Sequence, residues 1–359
     1  MGTAANRILF AGGGTGGHIY MAIALTEYVL HIRPSAKILF AGATAGLESQ
    51  IVPRSGYQLR TINIGGLKSV GVKRTVSTLI QLLPGLVRAL GIVRDFKPSL
   101  IVGVGGYASG LFMMAGKLLR MPLLLIEPNV YPGLTNRILA RIVDKAAVAY
   151  DETARWFGPK AAVTGIPVRR EFFSVAPPLA IRESLHLLVF GGSRGSVPIN
   201  TLLCQTLPNL PTEDLRIVHQ TGPADYDRVL DIYKQHQFEA RILKYIEDMP
   251  SFFVDADIIL SRAGASTVAE VTAAGRASLL IPLPHATDDH QRKNAEALAS
   301  RGAAMVLKQH ETSAKTLAEV ILSLQGNRER LVEMATASKQ MAKPNSTEDI
   351  VRLMEEIAI

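Results

Sequence analysis

The feature that most constrains the fold is a unit that occurs twice: a short apolar strand, a glycine-rich loop and an apolar helix. The first copy has the strand Arg7–Ala11 and a loop over 12–17; the second has the strand Leu185–Phe190 and a loop over 191–196. Strand, glycine turn and helix open a doubly wound parallel sheet, and more short apolar strands alternate with helices after each copy. We therefore predict an α/β protein built from two Rossmann-like domains.

A boundary between the two copies is also visible in the sequence. Residues 165–170, GIPVRR, bring Gly and Pro together between two strand-rich regions, which is typical of an interdomain connection. We predict an N-terminal domain over 1–165, with about seven strands, and a C-terminal domain over 166–344. The amphipathic stretch Thr347–Ile357 predicts a last helix. We expect residues 345–359 to pack back on the N-terminal domain.

Composition narrows the classes of protein to consider. The chain has 359 residues, of which 48% are hydrophobic, enough for two full cores. Its single cysteine, Cys204, excludes an intrachain disulfide and a cysteine metal site, and fits a reducing compartment. The sequence has no H-x-x-x-H pattern, so we predict no bound metal ion. No apolar run approaches the roughly 20 residues that cross a bilayer, and we find no signal peptide, so we expect a cytoplasmic protein.

The net charge of +8 is unevenly distributed along the chain. Residues 1–165 hold 18 Lys and Arg against 7 Asp and Glu, whereas residues 166–359 hold 21 against 24. This excess predicts an anionic partner for the N-terminal domain. The basic residues are scattered and are not interleaved with aromatic residues, which disfavours nucleic acid. An anionic membrane surface or a phosphorylated substrate fits better.

An apolar segment within this basic half is a candidate membrane contact. Leu and Val recur at helical spacing over Val70–Val93, most clearly in Leu79–Val93. If this face were exposed, its basic rim would dock it on anionic lipid. The alternative is an ordinary helix that faces the core. The flanking basic residues are Lys68, Lys73, Arg74, Arg88 and Arg94.

A second candidate site begins where an apolar strand leads into the small residues of 263–269. A helix start of Gly, Ala, Ser and Thr lets the backbone approach a ligand and directs N–H groups and the positive end of the helix dipole at it, which suits a diphosphate. Glu270, one turn inside this helix, could accept hydrogen bonds from ribose hydroxyls. Gln291 and Asn294 are neutral polar groups suited to sugar hydroxyls. The alternative is a close-packed helix with a surface glutamate.

The first glycine loop has two possible interpretations. Gly12, Gly14 and Gly17 formally match the dinucleotide fingerprint G-x-G-x-x-G. However, the second strand ends without an acidic residue for a ribose, and five glycines followed by His18 make a wider loop than a pyrophosphate turn needs. A neutral His18 at a helix N-terminus could accept a proton or bond a sugar; otherwise it caps or packs. Ser193 in the second loop offers another anion site, or else a tight turn.

Six blocks of the sequence together match one family. They are Gly13 to His18, Gly105 to Gly110, Glu127-Pro128-Asn129 with Gly133 to Asn136, Gly165 to Arg169, Gly191 to Ser193, and Gly264 to Glu270 with His290-Gln291 and Asn294. Over nearly its whole length the chain resembles the MurG-type glycosyltransferases of peptidoglycan synthesis. These enzymes transfer N-acetylglucosamine from UDP-N-acetylglucosamine to an undecaprenyl-pyrophosphoryl-muramyl-pentapeptide lipid.

The resemblance implies a GT-B fold, in which two Rossmann-like domains face each other across a cleft. The N-terminal domain would face the lipid acceptor and the membrane, and the C-terminal domain would hold the nucleotide. The diphosphate would be bound by Ser193 and by the backbone of Ala265, Ser266, Thr267 and Val268. Glu270 would bind the ribose and the main chain of Ile246 the uracil, with Arg169 near the phosphates. Asn129 and Gln291 would bind the sugar.

On the acceptor side, the resemblance implies a base-assisted attack by the acceptor 4-hydroxyl, since the family inverts the anomeric carbon. Our first candidate for the general base is His18, and the second is Glu127. Helix dipoles and Arg169 would stabilise the UDP leaving group, so no metal or cofactor is expected. The residues expected to face the reacting centre and the acceptor pyrophosphate are Thr15, Gly16, Gly17 and His18.

The resemblance further implies a peripheral protein on the cytoplasmic face of the bacterial plasma membrane, with other cell-wall or division proteins as partners. Two alternatives remain open. The chain could transfer a sugar to another lipid, such as a diacylglycerol, or it could bind UDP-sugars as a scaffold without catalysis.

Three positions depart from the family pattern. Met21 and Arg276 stand where the family usually has proline, and Pro128 stands where it usually has glutamine. The first two would change backbone stiffness. Pro128 removes a side-chain amide and a backbone N–H beside Asn129.

Overall fold

The computed structural model describes residues 6–63, 75–176, 184–238 and 240–358, with the backbone only over 75–82. The chain forms two compact units. Unit 1 comprises Met1–Pro167 together with Asn345–Ile359, and unit 2 comprises Val168–Pro344.

Unit 1 contains a seven-stranded, all-parallel sheet in the order β3-β2-β1-β4-β5-β6-β7. Its strands are β1 (Arg7–Gly12), β2 (Lys37–Ala43), β3 (Leu59–Ile62), β4 (Leu100–Gly105), β5 (Leu123–Glu127), β6 (Lys145–Val148) and β7 (Ala161–Val163). Its helices are α1 (Gly16–Ile32), α2 (Glu48–Arg54), α3 (Thr75–Phe96), α4 (Gly106–Leu118), α5 (Leu134–Leu139), α6 (Asp151–Ala154) and, at the C-terminus, α14 (Ser346–Ile357).

Unit 2 contains a six-stranded parallel sheet in the order β10-β9-β8-β11-β12-β13. Its strands are β8 (Leu185–Phe190), β9 (Leu215–Gln220), β10 (Ala240–Leu243), β11 (Ile258–Ser261), β12 (Ala277–Leu280) and β13 (Ala304–Val306). Its helices are α7 (Val197–Thr206), α8 (Tyr226–Gln235), α9 (Met249–Asp255), α10 (Ala265–Ala274), α11 (His290–Ala299), α12 (Ala314–Gln325) and α13 (Arg328–Gln340).

Strand order fixes where ligands can bind in each unit. In unit 1 the order reverses between β1 and β4, and in unit 2 between β8 and β11. At such a switch point the loops that leave the carboxyl ends of the two strands diverge and leave a crevice. The first glycine loop follows β1 and the second follows β8. The predicted fold class, two Rossmann-like α/β domains with parallel sheets, is therefore confirmed.

The helices of unit 1 divide between the two faces of its sheet. Crossover connections between parallel strands are right-handed, so the direction of each crossover along the sheet decides which face its helix covers. The crossovers through α1 and α2 run from β1 towards β3, whereas those through α3, α4 and α5 run towards β6. Helices α1 and α2 therefore cover one face, and α3, α4 and α5 cover the other. The C-terminal helix α14 packs on the α1 face, against α1, β5 and β6. Ion pairs from Glu355 to Arg33 and from Glu356 to Lys145 accompany this packing.

Each sheet is buried on both faces, as expected of parallel strands between helices. Neighbouring residues of a strand point to opposite faces, and both members of such a pair are buried in each sheet: Leu9 and Phe10 in β1, and Leu187 and Leu188 in β8. The predicted strand Leu185–Phe190 has the same bounds as β8, and the predicted strand Arg7–Ala11 is one residue longer in the structure, since β1 ends at Gly12. The helix predicted over Leu79–Val93 is longer, since α3 spans Thr75–Phe96.

Candidate active site

The start of α10 in unit 2 has the form of an anion site. Gly264, the residue before the helix, is extended and has no side chain with which to cap the helix N–H groups. The residues 264–267 are partly exposed, so a ligand can reach these groups. The N–H of Val268 already donates to the carbonyl of Gly264 (2.9 Å), and its side chain is buried. The N–H groups suited to a diphosphate are consequently those of Ala265, Ser266 and Thr267.

Glu270 lies one turn into α10 and is partly exposed. Desolvation raises the pKa of its carboxyl from 4.5 to about 7, while the positive charge of Arg169 acts in the opposite direction. Arg169 is exposed, and its guanidinium stacks over the ring of Phe172, 5.2 Å from the centroid. The structure thus brings two of the predicted nucleotide-site residues, Glu270 and Arg169, into electrostatic contact within unit 2.

Neutral groups hold the second glycine loop at Gly192 and Gly195. Gly195 has a positive φ of 75°, and a Cβ there would overlap the carbonyl of Thr221, so the loop rests directly on the backbone that follows β9. The buried amide of Gln220 donates to the carbonyl of Gly192 (2.8 Å). Ser193, predicted to bind the diphosphate, is exposed in this loop.

The same Gln220 side chain also holds the segment predicted to bind uracil. The Ile246 N–H donates to Gln220 Oε1 (3.2 Å), and the Ile246 side chain is buried. This N–H therefore already has a protein acceptor. Sequence reasoning missed Gln220; its only signal is a polar residue at the end of an apolar strand, LRIVHQ.

Arg262, immediately after β11, is a second residue that sequence reasoning missed. It is buried, and it donates to the carbonyls of Ile281 and Pro282 and to the side chains of Ser196 and Gln309, at 2.8–3.2 Å. Burial lowers the pKa of its guanidinium to about 10, so it stays charged at neutral pH. A cation held by neutral acceptors beside the second glycine loop and the α10 segment favours an anionic ligand there.

Gln291 and Asn294, both on α11, have different surroundings. Gln291 is partly exposed, and its Oε1 accepts the Leu283 N–H (3.0 Å). This hydrogen bond orients the Gln291 side-chain amide. Asn294 is fully buried and donates to the carbonyl of Ala263 (3.2 Å). Asn294 thereby ties α11 to the segment that opens α10.

In unit 1, the first glycine loop orients His18. The Nδ1 atom of His18 lies 3.2 Å from the carbonyl oxygen of Gly13 and 3.1 Å from the hydroxyl of Thr15. A carbonyl can only accept, so a hydrogen bond to Gly13 requires the proton on Nδ1 and puts the lone pair of the neutral ring on Nε2. The Gly13 N–H donates to the carbonyl of Gly105 (3.2 Å), which joins the loops that leave β1 and β4.

Glu127, the second candidate base, ends β5 and is only 1% exposed. Desolvation raises the pKa of its carboxyl, although several hydrogen bonds oppose this effect. Its Oε1 accepts the backbone and side-chain N–H groups of Asn129, and its Oε2 accepts those of Gly133 and of the Asn136 side chain, at 2.7–3.2 Å. In this arrangement Glu127 holds the 127–136 loop and presents Asn129, which is partly exposed.

Unit 1 also exposes large apolar side chains on its α3, α4 and α5 face. We name this the α3–α5 surface; its apolar members are Leu83, Val87, Met114, Leu118, Leu134 and Ile138, each 44–68% exposed. Exposed basic residues on the same helices or just after them are Arg88, Arg94, Lys117 and Arg120. The predicted basic residues Lys68, Lys73 and Arg74 lie outside the described residues. None of the helices in the described parts of the chain is both long and apolar enough to cross a membrane.

The three departures from the family pattern are all buried. Met21 packs in the core on α1, and Pro128 sits inside the 127–136 loop. Arg276 is 1% exposed and donates through its guanidinium to the carbonyls of Phe253 (2.8 Å) and Val254 (3.2 Å), near the end of α9. It therefore interacts with the negative end of that helix, a favourable place for a cation.

Comparison with known proteins agrees with this architecture. Residues 8–148 match the glycosyltransferase family 28 N-terminal domain, and residues 186–350 match the glycosyltransferase family 28 C-terminal domain. Two relatives are named UDP-N-acetylglucosamine--N-acetylmuramyl-(pentapeptide) pyrophosphoryl-undecaprenol N-acetylglucosamine transferase. The one from Solibacter usitatus is 39% identical over 99% of this chain and 97% of its own length, and the one from Syntrophus aciditrophicus is 38% identical over 96% and 97%.

A solved structure gives the same result. The crystal structure of Acinetobacter baumannii MurG superposes with a TM-score of 0.81 at 29% identity, over 98% of this chain and 99% of that one. The predicted resemblance is confirmed: the chain belongs to glycosyltransferase family 28 and, within it, to the MurG-type hexosyltransferases.

Proposed function

We propose that the chain transfers N-acetylglucosamine from UDP-N-acetylglucosamine to the 4-hydroxyl of the muramyl sugar in the undecaprenyl-pyrophosphoryl-muramyl-pentapeptide lipid (lipid I). The product, lipid II, supplies peptidoglycan synthesis and so contributes to cell shape and division. The observation that carries this proposal is the identity of 38–39% to transferases named for this reaction, over nearly the full length of each chain.

Unit 2 would hold the donor. The N–H groups at the start of α10, with Ser193 and Arg169, would bind the diphosphate and stabilise the charge that grows on UDP as it leaves. Glu270 would accept the ribose hydroxyls, and the Ile246 main chain would bind the uracil. Gln291 would hold the sugar. The positive charge of the buried Arg262 supports an anionic ligand at this edge of the sheet.

Unit 1 would hold the acceptor. We assign the general base to His18, because the Nδ1–H tautomer favoured by Gly13 leaves Nε2 able to take the proton of the 4-hydroxyl. The hydroxyl oxygen then attacks the anomeric carbon on the face opposite to UDP, and the configuration inverts. Thr15, Gly16 and Gly17 would meet the acceptor pyrophosphate at the start of α1. Glu127 suits a role in presenting Asn129 better than one as the base, since its oxygens already accept four hydrogen bonds.

The α3–α5 surface would bring the enzyme to its lipid acceptor. Exposed apolar side chains with basic neighbours bind anionic bilayers through both burial and charge. We expect a peripheral protein on the cytoplasmic face of the plasma membrane, alongside other cell-wall or division proteins. Replacing Val87 and Leu118 by Ser should weaken binding to vesicles that contain phosphatidylglycerol. The matched control is the exposed pair Leu322 and Val332 of unit 2, whose replacement by Ser should leave vesicle binding unchanged.

The test of the function is transfer of labelled N-acetylglucosamine to a lipid I analogue in the presence of EDTA. We expect one new β-linked disaccharide product, and the Glu270→Ala variant should lose most of the activity. Glu319→Ala, an exposed carboxylate elsewhere in unit 2, is the control that should keep it. Transfer only to a diacylglycerol would indicate a different lipid substrate. Tight UDP binding with no transfer to either acceptor would indicate a scaffold protein and would overturn the proposal.

A further inference from the structure

A buried carboxylate lies behind the first glycine loop. Glu48, the first residue of α2, is only 2% exposed. Its Oε2 accepts the N–H of Gly14 (2.9 Å), and its Oε1 accepts the N–H of Ala43 at the end of β2 (2.7 Å). Hydrogen bonds from backbone N–H groups to a carboxylate are stronger than neutral ones. One side chain therefore links the first glycine loop to the neighbouring strand.

Three glycines from three segments make room for this carboxylate. They are Gly13 in the first glycine loop, Gly42 in β2 and Gly46 before α2. At each of them an added Cβ would lie closer to the Glu48 side chain than real Cβ atoms ever come. Any larger residue at these positions would push the Glu48 side chain away.

Two of these glycines have no other evident purpose. Neither Gly42 nor Gly46 has the positive φ that favours glycine. Gly42 lies inside a strand, where glycine weakens the strand and usually marks the close approach of another group. That group is Glu48, whose Cγ would be 2.5 Å from a Cβ at position 42. Glycine at position 42 thus weakens β2 but leaves room for the Glu48 carboxylate.

The space that Gly13, Gly42 and Gly46 leave for Glu48, which we call the glycine seat, is connected to the proposed base His18 through Gly13 and Gly14. Glu48 fixes the Gly14 N–H, and the adjacent Gly13 donates its N–H to Gly105 and offers its carbonyl to His18 Nδ1. A shift of the loop at Gly14 would move the Gly13 carbonyl, which is the group that selects the His18 tautomer.

We infer that Glu48 is a positioning residue for the transfer reaction: seated among Gly13, Gly42 and Gly46, it fixes the first glycine loop so that the Gly13 carbonyl holds His18 with its lone pair on Nε2. This inference rests on the proposed function, with His18 as the base. Glu48 acts through the loop, and we expect it to affect turnover with the acceptor and to leave UDP binding in unit 2 unchanged.

The test begins with Glu48→Gln, which keeps the size of the side chain but can accept only one of the two N–H groups. We expect kcat with the lipid I analogue to fall by about ten- to a hundredfold, as for a misplaced catalytic group. The affinity for UDP, measured by titration calorimetry, should stay within about twofold of wild type. Wild-type kcat in Glu48→Gln, or a loss of UDP affinity equal to the loss of kcat, would overturn the inference.

A second readout does not need turnover. In protein with ¹⁵N-labelled histidine, the His18 signals, assigned with His18→Gln, report which ring nitrogen carries the proton. We expect the Nδ1–H tautomer in the wild type and a mixture of tautomers in Glu48→Gln. Unchanged His18 signals in the variant would refute the positioning role even if no transfer were observed, so failure of this inference can be separated from failure of the proposed function.

The glycine seat has its own control. Gly42→Ala should lower the thermal midpoint in the presence of Glu48, because the added methyl group and the Glu48 side chain overlap. In a Glu48→Ala background the space is open, and Gly42→Ala should leave the midpoint unchanged or raise it, as expected of alanine in a strand. Equal effects of Gly42→Ala on the thermal midpoint in both backgrounds would show that Glu48 does not require glycine at position 42.

Discussion

The two glycine loops begin from the same local pattern but are supported by groups of different charge. The first, after β1, has a carboxylate behind it, and the Gly14 N–H donates to Glu48. The second, after β8, rests on the Thr221 backbone and on the neutral amide of Gln220. The cation Arg262 lies beside the second loop and donates to the Ser196 hydroxyl.

This difference indicates which loop suits a diphosphate. In a dinucleotide turn the loop N–H groups point at the phosphates, but in the first loop one of them is already taken by a negative charge. The formal match of Gly12, Gly14 and Gly17 to the dinucleotide fingerprint therefore does not describe an NAD site. Neutral supports and a nearby cation make the second loop the better site for the nucleotide diphosphate. The first loop orients His18 and leaves residues 15–17 for the proposed contact with the acceptor pyrophosphate.

The largest effect that we predict from this comparison of the two loops is the loss of kcat when His18 is replaced. Replacing it by Ala should reduce kcat by about 10²–10⁴-fold, which is the usual contribution of a general base. UDP affinity should not change, because His18 belongs to unit 1. The measurement is steady-state transfer beside calorimetric titration with UDP. His31→Ala, on the same helix α1, serves as the control. A His18→Ala variant with near wild-type kcat would mean that the first loop does not carry the base.

A smaller effect, on the donor side, is expected at Glu270. Glu270→Ala should weaken UDP binding by about 10- to 100-fold, since hydrogen bonds to a charged group contribute about 1.5–3 kcal/mol. Only the ionised carboxylate accepts both ribose hydroxyls, so UDP affinity should rise as the pH increases through about 7, the pKa of Glu270 in the folded protein. If Glu270→Gln shows the same pH dependence as wild type, another group is responsible.

The same pKa shift makes a prediction about stability. The pKa of Glu270 is about 7 in the folded protein and 4.5 in the unfolded chain, so between these pH values the folded protein binds more protons than the unfolded chain does. The contribution of Glu270 to the free energy of unfolding should therefore decrease as the pH rises from about 4.5 to 7. The free energy of unfolding, measured by urea denaturation across this pH range, should decrease more steeply with pH in the wild type than in Glu270→Gln. Equal dependence on pH in the two proteins would contradict the prediction.

The smallest effect is expected at Gln220, which sharpens the comparison because it is the neutral counterpart of Glu48. Gln220→Ala removes one hydrogen bond to Gly192 and one from Ile246, and should weaken UDP binding by about 3- to 10-fold. Gln220→Glu brings a charge behind the second loop and should weaken it more than alanine does. Tighter UDP binding in Gln220→Glu than in Gln220→Ala would show that the charge of the support is unimportant.

Much of the fold could be predicted from the sequence, because it depends on local patterns. Short apolar runs such as Leu123–Ile126 give the buried strands, and the glycine loops give the turns between β1 and α1 and between β8 and α7. The strand order and the exposure of individual α3–α5 side chains could not be predicted. They depend on which crossover leads to which side of the sheet.

The candidate site divides in the same way. Glu270 and His18 were identifiable because each follows a glycine- or alanine-rich helix start. Glu48 and Gln220 were not, because Glu48 contacts Gly14, 34 residues away, and Gln220 contacts Ile246 and Gly192, 26 and 28 residues away. Only the folded sheets bring these residues together. The carboxyl group of Glu127 was identified, but its role could not be, since burial and four hydrogen-bond donors decide it.

The most direct test of this account is hydrogen–deuterium exchange, followed by mass spectrometry, with and without saturating UDP. UDP lacks the N-acetylglucosamine group, so it probes the nucleotide site alone. We predict slower exchange in 191–196, 244–247 and 264–270, and unchanged exchange in 12–18. Protection of 12–18 without protection of 191–196 and 264–270 would contradict the account, because the nucleotide would then bind at the loop that carries the carboxylate.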